Sequence, residues 1–255
     1  MRLKRATVLV TGTSRGIGRS IVSELTSRGA RVLAGTRDGN ARPTQAPAVI
    51  PVRMDLGSRD SIDACCDELG DELGRIDVLI NNAGAFTAGQ LEQQDIADMY
   101  DVFQVNLAGP AHLTRRVLPA MLERDSGKIV NHASLVAYFR FPGITAYSAS
   151  KAGLSAFTEC LRRELKDTNV STLEIVTGGV DTGMLRTAAD RLDDHTDPSG
   201  WQWMEPDEWA GRIVDAIEQD KHLLQPPGKG RLGKALAAGP AFLLDAVAAR
   251  GFKRG

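Results

Sequence analysis

The sequence predicts a doubly wound α/β fold, one sheet of seven parallel strands with helices on both faces. Three observations lead there. Seven short runs are apolar on consecutive positions instead of on every second one, which is the pattern of strands covered on both faces. Helical stretches separate most of these runs, as crossovers between parallel strands require. Finally, 255 residues, 42% hydrophobic and 25% charged, suffice for a single large domain with a well-buried core.

Taken in order, the first strand is "ATVLVTG" (6–12), running into a glycine and then a helix over 16–28. The second strand is "ARVLAGT" (30–36). The connection after it, "RDGNARPTQAP" (37–47), holds two prolines and a glycine, so a loop or single turn is expected there. A third strand at 48–55 leads to a helix at 58–73, and a fourth at 77–83 leads to a long helix at 93–123. "GKIVNHAS" (127–134) is the fifth strand, 147–166 the next helix and "STLEIVTG" (171–178) the sixth strand. Residues 183–205 are polar and irregular, the expected lid over a substrate. Pro206, Asp207 and Glu208 then mark a helix start, with proline at the first position and acids at the positive dipole end. That helix runs over 206–219, and the seventh strand is 222–227. No repeat or low-complexity linker divides the chain, so 1–255 reads as one domain with a C-terminal extension over about 226–255. The extension is apolar with basic ends; packing on the domain is the default, with partner docking or contact with a membrane surface left open.

A formal net charge of −1 gives no electrostatic footprint for nucleic acid. No run approaches the ~20 apolar residues of a membrane span, and the basic start lacks the apolar stretch of a secretion signal. Cys65, Cys66 and Cys160 are odd in number and two are adjacent, which suits neither a disulfide framework nor metal-ligand spacing. They read as small apolar helix residues in a reducing, cytoplasmic setting. "DDHTD" (193–197) reads as a solvated loop and not a metal site.

"VLVTGTSRGIGRSI" sets Gly12, Gly16 and Gly18 between a strand and a helix. Gly12 permits a tight turn, Gly16 lets backbone approach a pyrophosphate, and Gly18 lets the helix pack closely on the strand. The helix N-terminus supplies free N–H groups and partial positive charge to phosphates. Together with Asn81-Asn82-Ala83-Gly84, Asn106, Ser134, Tyr147 and Lys151, this turn resembles the classical branch of the short-chain dehydrogenase/reductase family, over residues 5 to about 220.

The resemblance implies a Rossmann-type fold binding a nicotinamide dinucleotide. It assigns Gly12, Ser14, Arg15, Gly16, Ile17 and Gly18 to the phosphates, and Asp55 and Leu56 to the adenine. Asn81, Ala83 and Gly84 support the crevice, while Val180 and Thr182 contact the nicotinamide carboxamide. An acidic residue ending the second strand would bind an adenosine ribose, but Thr36 and Arg37 stand there. A neutral side chain beside a guanidinium accommodates a 2′-phosphate, and Arg15 adds a second cation. NADP(H) is therefore preferred, with NAD(H) the alternative, and Asp38 next door argues against a stricter choice.

Chemistry is expected from "YSASK" (147–151), which puts Tyr147 and Lys151 on one helix face. A neighbouring ammonium and an oxidised nicotinamide are expected to lower the phenol's pKa. Lys151 also reaches the nicotinamide ribose, Ser134 holds the substrate oxygen, and the resemblance gives Asn106 a water in a proton relay. Asn106 also falls mid-helix, where asparagine is a poor helix former. His132 is read as packed. One departure is that Thr177-Gly178 stands where the family usually has Pro-Gly. The expected reaction is hydride transfer between a carbonyl and a secondary alcohol. Tyr138, Phe139 and Phe141, with Trp201 and Trp203, suggest a bulky apolar small-molecule substrate, though at least half of these aromatics are expected to belong to the core. A 3-oxoacyl-thioester reductase is the nearest alternative. A non-catalytic NADP(H)-sensing regulator, the rival class, is disfavoured by the intact Ser134, Tyr147, Lys151 and Asn106. The family habit of pairing long helices predicts a homodimer or homotetramer.

Overall fold

The computed structural model describes residues 1–39, 46–180, 183 and 204–227. Seven parallel strands form one sheet: β1 (Thr7–Thr11), β2 (Arg31–Thr36), β3 (Val49–Arg53), β4 (Val78–Asn81), β5 (Gly127–Ser134), β6 (Val170–Thr177) and β7 (Leu223–Leu224). Their order is β3-β2-β1-β4-β5-β6-β7, so the chain winds outward from β1 in one direction and then from β4 in the other. That reversal opens a crevice at the carboxyl ends of β1 and β4, where sheets of this kind bind ligands. All seven expected strands are present and pair in parallel. The proline-bearing connection after β2 falls largely outside the described residues.

The consecutive apolar positions are explained by two cores, one on each face. Val8, Val10, Val32, Ala34, Val78, Ile80 and Val130 meet α1 (Gly16–Ser27) through Ile21, Val22 and Leu25. Trp209, Ile213, Val214 and Ile217 of the helix starting at Pro206 pack on the same face. The alternate strand positions Leu9, Leu33, Leu79 and Ile129 point the other way. There they meet Ile62, Cys65 and Cys66 of α2 (Arg59–Leu69), and Leu113, Val117 and Met121 from the helix before β5. The adjacent cysteines are thus core residues, and burial pushes their thiols up, to about 12 for Cys65 and about 11 for Cys66.

The long helix expected over 93–123 is not continuous. It consists of α3 (Ile96–Phe103), a π-helical turn over Gln104–Ala108, and α4 (Gly109–Glu123). The Gly109 N–H reaches back five residues to the Gln104 carbonyl. A Cβ on Gly109 would sit 2.8 Å from the Leu56 carbonyl oxygen. That oxygen also accepts the Gln104 side-chain amide at 3.1 Å. A short helix, α5 (Val136–Phe139), precedes α6 (Thr145–Glu164), and α7 (Pro206–Glu218) starts on Pro206 as expected.

A layer of buried amides and hydroxyls runs through the sheet behind the crevice. The Asn81 amide donates to Asn131 Oδ1 at 2.8 Å and Thr114 Oγ1 at 3.2 Å. The Asn131 amide donates to Thr158 Oγ1 at 2.9 Å. These bonds tie β4 and β5 to α4 and α6, and breaking one strands several partners. Asn131→Leu is therefore expected to destabilise the fold by about 2–3 kcal/mol in urea denaturation, far more than its shape change alone would cost; a loss under ~0.5 kcal/mol would contradict this account.

Candidate active site

The turn after β1 is built as the glycines require. Gly12 and Gly16 have φ of 70° and 54°, conformations that side chains rarely adopt. A Cβ on Gly18 would lie 2.1 Å from the Gly12 carbonyl oxygen and 2.5 Å from the Asn82 amide nitrogen. A Cβ on Gly12 would meet Ala83 Cα at 2.7 Å, so the turn touches the chain leaving β4. Thr11 Oγ1 closes that contact by accepting the N–H groups of Asn82 and Ala83, each at 3.0 Å. The Asn82 amide donates to the Thr11 and Gly12 carbonyls at 2.9 and 3.2 Å. Thr11 and Asn82 hold the crevice together, a part the glycine spacing did not reveal.

Arg15 precedes α1 without capping it, so no side chain occupies the first N–H groups of that helix. Ser14 and Arg15 are exposed, with Ile17 partly buried. At the end of β2, Thr36 is buried and its hydroxyl has no partner among the described residues, while Arg37 is exposed. Asp55 Oδ1 accepts the Gly57 N–H at 2.9 Å and Leu56 is buried. An uncapped helix start, a glycine cradle and an orphaned hydroxyl one strand away fit a dinucleotide lying across the crevice. Asn81 sits behind this crevice, its side-chain NH2 spent inside the sheet while its Oδ1 has no partner among the described residues. Val180 is buried and bridges to Met204. Thr182, Trp201, Trp203 and almost all of the expected lid and C-terminal extension lie outside the described residues.

Tyr147 and Lys151 share a face of α6, with the Lys151 ammonium 5.9 Å from the Tyr147 ring centroid. Lys151 is buried and donates to the His132 carbonyl at 2.7 Å. Ser134, at the end of β5, lies near the Tyr147 phenol and favours its phenolate. Phe86 packs edge-on against the Tyr147 ring, centroids 4.9 Å apart. Asn106 is fully buried in the π turn. It accepts the Ala85 N–H at 2.8 Å, and its amide donates to the Ala85 carbonyl at 2.9 Å and Ser150 Oγ at 3.0 Å. Ser150 in turn donates to the Tyr147 carbonyl at 2.7 Å. Asn106 thereby pins the segment after β4 onto the Tyr147 helix.

Burial acts on both groups. Before any dinucleotide binds it pushes the Tyr147 phenol up to about 12, and the ammonium alone does not offset it. It pulls Lys151 down to about 8. Among the described aromatics, one belongs to the core. Tyr138 is buried, its hydroxyl bonded to Glu174 Oε1 at 2.6 Å and Ser155 Oγ at 2.9 Å, which leaves the stacked Phe139 and Phe141, 6.1 Å apart.

The comparisons place the chain that carries this crevice and these side chains in a family. The family model described as short chain dehydrogenase matches residues 6–193, and the chain belongs to that family. A short chain dehydrogenase of Pseudocercospora fijiensis is 36% identical over 190 residues, 71% of this chain and 62% of the relative. Ketoacyl reductase HetN of Nostoc sp. is 38% identical over 186 residues, 70% of this chain and 65% of the relative. The match thus spans less than two thirds of the length of these two relatives. A crystal structure of a short chain dehydrogenase from Burkholderia cenocepacia, in complex with NADP, superposes with a TM-score of 0.83 at 26% identity, covering 97% and 99% of the two chains. Among the described residues no helix is long and apolar enough to cross a membrane, and no group of side chains is arranged to hold a metal.

The depressed Lys151 has a consequence for stability. Its folded pKa near 8 lies below the ordinary 10.5, so between those values the unfolded chain holds more protons and stability rises with pH. Lys151→Met should gain about 1–2 kcal/mol at pH 7, since relief of the buried charge exceeds the loss of one bond to His132. The gain should shrink as pH climbs towards 10.5. Thermal unfolding of both proteins across that range checks it.

Proposed function

We propose that the chain is an NADP(H)-preferring oxidoreductase that interconverts a carbonyl and a secondary alcohol, with Tyr147 as the acid. The observation that carries this reading is the pairing of Tyr147 with the buried Lys151 ammonium, 5.9 Å from its ring centroid on one face of α6, with Ser134 at the end of β5 beside them. When bound, the dinucleotide supplies or accepts the hydride. Ser134 holds the substrate oxygen, and Tyr147 gives that oxygen its proton as the carbonyl is reduced. A phenol pushed up to about 12 keeps its proton at neutral pH, the form that can protonate a carbonyl oxygen. Lys151 orients the nicotinamide ribose and, once charge develops on the phenolate, stabilises it. Asn106 fixes the segment between them. Thr36 with Arg37 and Arg15 supports a 2′-phosphate, as does the NADP in the Burkholderia cenocepacia structure, with NAD(H) the alternative. A bulky apolar ketone is the preferred substrate class. The ketoacyl reductase relative favours a second reading, in which the carbonyl belongs to a 3-oxoacyl thioester.

Tyr147→Phe should lower kcat/KM by about 10²–10⁴-fold while retaining dinucleotide affinity. A panel of ketones, alcohols and 3-oxoacyl thioesters, followed by nicotinamide absorbance, tests the reaction and separates the two substrate classes. NADPH should outperform NADH, and Arg37→Ala should erase about tenfold of that preference. Equal rates with both cofactors in the unmodified protein would remove the argument from Arg37.

A further inference from the structure

The family's usual proline before Gly178 is Thr177 here, and the structure shows what the threonine does. Its carbonyl accepts the Leu135 N–H at 2.9 Å and the Ser134 hydroxyl at 3.5 Å. Its side-chain oxygen accepts the Trp209 indole N–H at 3.0 Å and bonds His132 Nε2. The other ring nitrogen, Nδ1, meets Asn82 Oδ1 at 3.0 Å. The Asn82 amide nitrogen already donates to Thr11 and Gly12, so Asn82 Oδ1 must accept. That fixes the imidazole as the Nδ1–H tautomer, and Nε2 accepts the Thr177 hydroxyl proton. Every donor then has an acceptor along one line from the Gly12 turn, through Asn82, His132 and Thr177, to Trp209 on α7. Thr177, His132 and Trp209 are all buried.

We propose that His132 and Thr177 are positioning residues: they form a buried strut that sets the Gly178–Val180 segment relative to the Gly12 turn, and so presets the distance between the nicotinamide and pyrophosphate ends of the cofactor site. The proposal rests on the dinucleotide reading above. A proline at 177 would stiffen this segment through its ring; the threonine side chain stiffens it through hydrogen bonds to two elements, β5 and α7. Without the strut, binding must itself order the segment, which lowers affinity for whatever contacts it. The adenosine half of the dinucleotide, held at the far end by Thr36 and Arg37, does not contact it.

The test compares NADPH with 2′,5′-ADP, which lacks the nicotinamide half, by calorimetric titration of the full chain and its variants. Thr177→Val keeps the shape and removes the hydroxyl, whereas Thr177→Ser keeps the hydroxyl. The expected result is NADPH binding weakened about tenfold in Thr177→Val, unchanged 2′,5′-ADP binding, and recovery in Thr177→Ser. Equal loss for both ligands would reduce the strut to general stability and overturn the proposal, as would unaltered NADPH affinity in a variant with a lowered Tm. Should Thr177→Val not fold, Trp209→Phe is titrated the same way, with a selective loss of about threefold expected and no selectivity counting against the strut. Failure of the unmodified protein to bind either NADPH or NADH would sink the dinucleotide reading and the strut's role together.

Discussion

Burial of one ammonium group constrains the whole site. Lys151 has its charge inside the protein, with a main-chain carbonyl as its recorded hydrogen-bond partner. A buried cation without a carboxylate is costly, and a packed domain tolerates it only where the surroundings are fixed well enough to present oxygen atoms on demand. β5 meets that need by aiming the His132 carbonyl at it, and β5 is itself held by the Asn131 and His132 side chains on either side. The cost is the kind accepted where a charge serves another molecule more than it serves the fold.

The surroundings are polar where a core strand is ordinarily apolar. Asn81, Asn131, His132, Thr158 and Thr177 are all buried, and each makes hydrogen bonds across to another element. Such a layer adds modest net stability but strong specificity, because any shift in strand register leaves several groups unpaired at once. The crevice walls therefore share one set of internal bonds, and Thr11, Asn82 and Ser134 lie at its mouth as continuations of it.

Much of this was legible in the sequence. Strands buried on both faces announce themselves by consecutive apolar residues, and the glycine turn and Tyr147–Lys151 spacing are local patterns. What escaped was decided by tertiary contact. The break at Gln104–Ala108 depends on Asn106 finding Ala85 and Ser150, and on Gly109 lying against Leu56, neither of which is local. The upward push of burial on the Tyr147 phenol escaped because spacing reports proximity and says nothing of solvent. Tyr138 was counted towards the pocket because its partner Glu174 lies 36 residues away on β6. For His132 a signal was present: a titratable ring inside an otherwise buried run has to find partners, and Thr177, the departure already visible, was one of them.

The π turn carries a consequence for how this chain can vary in length. It holds one residue more than a regular helical turn, and each residue of an α-helix advances the facing direction by about 100°. Because the wider turn absorbs that residue locally, deleting a single position within Gln104–Ala108 would restore an ordinary helix and leave Leu113 and Val117 of α4 facing the core. What it would remove is the turn that carries Asn106 to Ala85 and Ser150. The junction between the two helices can thus shorten without unseating the core, at the expense of the site alone.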